Sequence, residues 1–390
     1  LDEHIQAGRR LMVGCAFAAI GWIILAWNVF QALPSAEASL ILGVIALAES
    51  VASLLVRQEI KRTLHQKLED CLALWAAFTV IILLLSWYSE LPFFKGSPLA
   101  LLCFLGLSLC VSLLRLFHSH MQGTSALWCS FSCRIWVLAM ICPAISWGTE
   151  PTQTVVLFAS VLVVLLQLCF ALDGSRPSLD DPMTGRLVSR SSTSLMAQMD
   201  LLMLPIFLGP ILAWPYLIAR GVGFLPRLAL TFLDNAAEPK LADMRTGAGR
   251  LVATAGRINL GSLLIGGASA LMVLAAIPLV AQHFRLEDTD FRSIAMWIAF
   301  ANFAPALLGA TAVLLRAVGM QRELAWIQIF CSGLFCSALL LGSDKSGIDI
   351  AKALAASTWL ASILGAALLA KNFGIWPGIT ALLFRQIRLF

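Results

Sequence analysis

Runs of about twenty mostly apolar residues follow one another along nearly the whole chain, and that is the length an α-helix needs to cross the hydrocarbon core of a bilayer. They fall at roughly 11–30, 37–56, 71–89, 98–117, 127–147 and 153–172, and again at roughly 199–211, 212–233, 258–282, 293–315, 323–342 and 350–370. The stretch that begins at 199 is too long for one span and holds Pro205, Pro210 and Pro215, so it is divided in two. Prolines are tolerated in membrane helices where neighbouring groups re-satisfy the freed carbonyls. The first run is long enough to span and is not followed by a small-residue cleavage pattern, so it reads as a helix rather than a secretory leader. Composition supports this reading. The chain is 59% hydrophobic and only 13% charged, against about 45–50% and about 25% for soluble domains.

The loops between the runs alternate in charge. One set carries Arg9 and Arg10; Arg57, Lys61, Arg62 and Lys67; Arg115; Arg176, Arg186 and Arg190; Lys240, Arg245, Arg250 and Arg257; Arg316 and Arg322; and Lys371, Arg385 and Arg388. The other set holds only Lys95, Arg285, Arg292 and Lys345. Basic residues of short loops stay on the cytoplasmic side. That fixes both termini and every even-numbered loop inside. The expected fold is an all-α membrane protein of about twelve spanning helices, multi-pass in a bacterial inner membrane.

Six helices bring the chain back to the cytoplasm, where the polar stretch Asp173–Gln198 intervenes. The expected organisation is therefore an amino-terminal six-helix lobe over 1–172, a cytoplasmic linker over 173–198 and a carboxyl-terminal six-helix lobe over 199–371. A tail over 372–390 lies along the inner surface as an amphipathic piece. Internal pairs of this kind place a substrate site near the midplane between the repeats.

Charged groups within a bilayer are costly and are functional candidates by default. In the spans these are Glu49, Arg134, Asp200, Arg220, Arg227 and Asp234, with Lys352 close enough to the outer end of the last span to reach water. On one continuous helix Tyr216, Arg220, Arg227 and Asp234 share a face. Such a stripe faces a water-filled cavity, or it is tied up in ion pairs such as Arg227 with Asp234 or Arg134 with Glu49. Arginines outnumber acids near the midplane. Because the guanidinium presents a planar fork of donors suited to phosphate, Arg134, Arg220, Arg227 and Tyr216 form a candidate cationic site for a phosphate or diphosphate. Glu49, Asp200 and Asp234 are the candidates for coupling to a proton or sodium.

Several stretches resemble the polysaccharide exporters of the multidrug/oligosaccharidyl-lipid/polysaccharide (MOP) exporter superfamily. They are Tyr216-Leu-Ile-Ala-Arg220, Leu225-Pro226 and Asn235-Ala-Ala-Glu-Pro239-Lys-Leu-Ala242, together with Asp200 before an apolar run. In the first half Leu113-Leu-Arg115, Gln122-Gly123 and Arg134 resemble the same family's fourth-to-fifth helix region. The first external loop, Gln31–Ala38, departs from the family in lacking a glycine pair. The resemblance implies a flippase for a polyprenyl-diphosphate-linked oligosaccharide, with membrane lipids and polysaccharide-assembly proteins as its surroundings. Two lobes would rock about a central cationic cavity.

Other classes fit less well. A multidrug antiporter of the same superfamily would favour acids in its cavity, and a lipid II flippase usually carries two further helices. A membrane polymerase or ligase needs a sizeable external loop, whereas the longest here runs from about His283 to Arg292, and the chain has no HExxH or GxSxG motif. The ten cysteines form no CxxC pair, and His118-Ser-His120 reads as a solvated pair. Neither a metal site nor a cofactor is expected. A net charge of +5 spread between apolar runs offers no nucleic-acid patch.

Overall fold

The computed structural model of the chain describes residues 20–21, 24–29, 31, 33–55, 64–89, 91–94, 97–121, 153–173, 188–242, 248–286, 289–342 and 346–375. Besides helical residues at 24–29, its helices are α1 (Ser35–Leu55), α2 (Leu64–Ser89), α3 (Pro98–Met121), α4 (Gln153–Asp173), α5 (Val188–Phe207), α6 (Pro210–Gly223), α7 (Leu225–Ala242), α8 (Ala248–His283), α9 (Phe291–Leu308), α10 (Thr311–Ala317), α11 (Gln321–Leu341) and α12 (Gly347–Phe373). Among the described residues, six stretches are long and apolar enough to cross a membrane: 66–87, 98–116, 254–283, 291–308, 321–341 and 347–373. The spans expected at 127–147 and over most of 11–30 lie outside the described residues, as does most of the 372–390 tail.

The chain divides into two compact units. The amino-terminal unit takes α1 to α4 and residues 201–214; the carboxyl-terminal unit takes 188–200 and everything described from 215 onward. In the amino-terminal unit α3 packs on α1, α2 and α4. Helix α1 is apolar nearly all round, as a core helix should be, and Ile41, Val44, Ala48 and Ala52 are wholly buried. Helix α2 is apolar from Cys71 to Trp87 but turns Val80, Ile81, Leu84 and Trp87 outward, with Trp87 88% exposed. Exposed apolar faces of this kind are stable against lipid and not against water.

In the carboxyl-terminal unit α9 packs against α8, α7 and α12, and α12 packs against α11 and α10. Small residues allow the close approaches: a Cβ on Gly266 would lie 2.3 Å from that of Ala306, as expected where membrane helices meet. Helix α12 begins at a capping box, where the Ser346 hydroxyl accepts from the Asp349 N–H and the Asp349 carboxylate accepts from the Ser346 N–H. It ends at Gly374, whose φ of 62° suits a residue without a Cβ.

Several boundaries differ from the sequence expectation. The linker ends earlier, because Val188 is already helical. Likewise α8 begins ten residues ahead of the apolar run expected from 258, at Ala248. Hydropathy marks where lipid begins, whereas helical hydrogen bonding continues beyond it. The span expected at 293–315 is two helices, parted at Gly309, whose φ is 87°. The continuous helix expected over 212–233 is likewise broken at Phe224, between α6 and α7.

Candidate functional site

The break at Phe224 follows from local chemistry. Pro226 has no N–H to give to the carbonyl of Val222. One residue on, the carbonyl of Gly223 accepts from the side-chain amide of Asn302 on α9, at 3.1 Å, and that amide also donates to Ile298 O at 2.9 Å. No side chain fits at Gly223, where a Cβ would lie 2.8 Å from Ile298 Cγ2 and 3.1 Å from Ala295 O. The expected stripe is thus divided. Tyr216 and Arg220 belong to α6, and Arg227 and Asp234 to α7.

Within the carboxyl-terminal unit, α6 brings Tyr216 and Arg220 to Asp200 of α5. Asp200 is 1% exposed and Arg220 14%. The Arg220 Nε donates to Asp200 Oδ2 at 2.7 Å, and Nη2 reaches Oδ1 at 3.4 Å, a side-on, two-pronged geometry. Nη2 also donates to the Ala197 carbonyl at 2.9 Å and to Gln198 Oε1 at 3.0 Å. The Tyr216 hydroxyl donates to Asp200 Oδ2 at 3.0 Å, and Tyr216 is fully buried. The Phe224 ring lies 5.2 Å from the guanidinium carbon.

Every oxygen of the carboxylate is therefore engaged, and the charge on Asp200 is cancelled where it sits. A buried pair of this kind contributes little net stability, yet losing one partner costs about 3–5 kcal/mol. The sequence reading gave Arg220 to a ligand and Asp200 to a coupling ion; the structure joins them to each other. The pairing has no short-range sequence signal, because the partners lie twenty residues apart and meet only after the chain turns at Leu208-Gly209.

The other candidates are placed separately. Arg227 is partly buried, and the charged groups that act on it are Asp234 on its own helix and Arg316 at the end of α10. Sequence reading assigned Arg316 to a loop, because the apolar run stops one residue short of it; its α10 packs on α7. Glu49 lies on α1 in the amino-terminal unit, partly buried. Arg134 lies outside the described residues. Two buried asparagines went unread, although an amide inside an apolar run was the available signal. Asn302 holds the first helix break. Asn259 of α8 holds the second, accepting from the Ala310 N–H at 3.1 Å. Among the described residues no group of three His, Cys, Asp or Glu side chains could hold a metal.

The fold has solved counterparts. A MATE transporter in complex with MaL6 superposes with a TM-score of 0.60, covering 95% of this chain and 96% of its own at 13% identity. The eukaryotic MATE transporter AtDTX14 gives 0.57 over 95% and 96% of the two chains, also at 13% identity. A MOP-superfamily transporter from Pyrococcus furiosus gives 0.55 over 95% of both chains at 11% identity. This chain has the fold of these transporters. No family model matches the sequence. No curated protein matches it either.

Proposed function

We propose that this chain is a MOP-superfamily transporter that moves a polyprenyl-diphosphate-linked oligosaccharide across the bacterial inner membrane by alternating access. The likeness of fold over nearly the whole chain supports a transporter rather than an enzyme. The observation that supports an anionic cargo is the placement of Arg227, partly buried on α7 within an expected span. Asp200 is the one charged side chain in the buried class among the described residues, and it is neutralised by Arg220. Arg227 is acted on by Asp234 of its own helix and by Arg316 of α10. A guanidinium in a low-dielectric setting favours an anion, and its planar fork suits phosphate.

The multidrug reading is second, favoured by the MATE neighbours. An organic cation would need an acid, and the most enclosed one among the described residues already has its cation. In the Pyrococcus furiosus transporter, reverse polarity of the binding pocket suggests a different function. The test is a strain lacking the protein. It should accumulate lipid-linked oligosaccharide, and the wild type should clear it while Arg227→Ala, at equal membrane level, does not. Normal glycolipid turnover in the deletion strain overturns the reading.

A further inference from the structure

We infer that Arg220 exchanges its buried carboxylate for phosphate oxygens of the cargo, and that Asp200, once released, takes up a proton, so that anion and proton bind as one event. The inference rests on the anionic cargo proposed above. Its basis is the unequal placement of the pair. Arg220 is 14% exposed and Asp200 1%, so an incoming anion meets the guanidinium before the acid. Nε and Nη2 are turned to Asp200, Ala197 and Gln198, whereas Nη1 makes no hydrogen bond among the described residues. Phosphate oxygens can engage that open edge first and the Nε edge afterwards, since both forks accept the same planar geometry.

What remains around Asp200 decides the rest. From α6 it is faced by the Tyr216 hydroxyl and Arg220, and from its own helix Gln198 acts through Arg220. Behind the tyrosine, a Cβ on Gly347 of α12 would lie 3.6 Å from the Tyr216 ring and 2.9 Å from Ile294 of α9, so that contact is uncharged. With Arg220 turned away, Tyr216 is the one donor left to the carboxylate among the described residues. A carboxylate so enclosed and without a cation is less stable than its protonated form. The proton comes from water and binds a carboxylate oxygen, while the phosphate oxygens take over the Nε–H and Nη2–H bonds. When the proton leaves, the carboxylate reclaims Arg220 and displaces the anion.

The experiment uses the full-length protein purified in detergent, with inorganic pyrophosphate as the probe. Binding is followed by calorimetry, and proton uptake by an indicator dye in weak buffer at pH 7. The readout is the difference between wild type and Asp200→Asn, which removes the ionisation of pyrophosphate itself. The wild type should take up about one more proton per bound anion than the variant. The variant should bind about tenfold tighter, because the competing carboxylate is gone. Asp200→Ser serves as the reference if the asparagine variant does not elute as the wild type does. Equal uptake with pyrophosphate bound overturns the proton exchange and leaves the anionic cargo standing. No binding by wild type or variant overturns both.

Discussion

Arg220→Met should destabilise the protein more than Asp200→Asn, and the surroundings of the two side chains give the size of the difference. The methionine variant strips Asp200 of its contacts to Nε at 2.7 Å and Nη2 at 3.4 Å, leaving an acid that is 1% exposed with only the Tyr216 hydroxyl. Breaking a buried pair in this way costs about 3–5 kcal/mol. The asparagine variant leaves Arg220 with Ala197 O, Gln198 Oε1 and the Phe224 ring, and with 14% of its side chain exposed. It loses a charge-assisted bond of about 1.5–3 kcal/mol and keeps a cation that still donates to two acceptors. Adding Asp200→Asn to Arg220→Met should recover part of the loss. The assay is thermal unfolding in detergent, read by tryptophan fluorescence and by retention of the monodisperse peak. A wild-type midpoint for Arg220→Met, or a lower midpoint for Asp200→Asn than for Arg220→Met, would refute the asymmetry.

Three further outcomes follow from the same structure. Gly223→Ala should cost about 1–3 kcal/mol by overpacking, since its Cβ meets Ile298 and the Ala295 carbonyl; Ile298→Ala should relieve part of that loss in the same unfolding assay, and no relief would place the strain elsewhere. Asn259→Ala should lower the midpoint by leaving the Ala310 N–H without its acceptor, a loss of about 1–3 kcal/mol, and wild-type stability would show that the break at Gly309 is held by other groups. In a cysteine-free background, an impermeant thiol reagent should label Thr289→Cys in intact cells and spare Gly319→Cys until the cells are opened; labelling of Gly319→Cys from outside would invert the orientation.

The helices were legible in the sequence because lipid imposes a length on them. The runs expected at 37–56, 98–117, 153–172, 323–342 and 350–370 fall within α1, α3, α4, α11 and α12 to within a few residues. Helix breaks were less legible. Pro226 and Gly309 were visible, but proline and glycine are both tolerated inside membrane helices, and what turned them into breaks is Asn302 and Asn259 reaching from other helices. Charge was legible as composition and not as pairing. Asp200, Tyr216 and Arg220 could each be picked out as costly in a bilayer, but their meeting depends on the turn at Leu208-Gly209, which local pattern does not aim. Arg316 was missed because a run of hydropathy ends where its helix does not.

The claim that an anionic lipid-linked saccharide is the cargo is tested most directly by transport in proteoliposomes holding the purified protein. The substrate is a polyprenyl-diphosphate-linked oligosaccharide labelled on its sugar, with an organic cation as the comparison. The account predicts protein-dependent movement of the labelled sugar to the opposite leaflet, lost in Arg227→Ala at equal reconstitution, and no movement of the cation. Transport of the organic cation with the lipid-linked sugar left in place would contradict it.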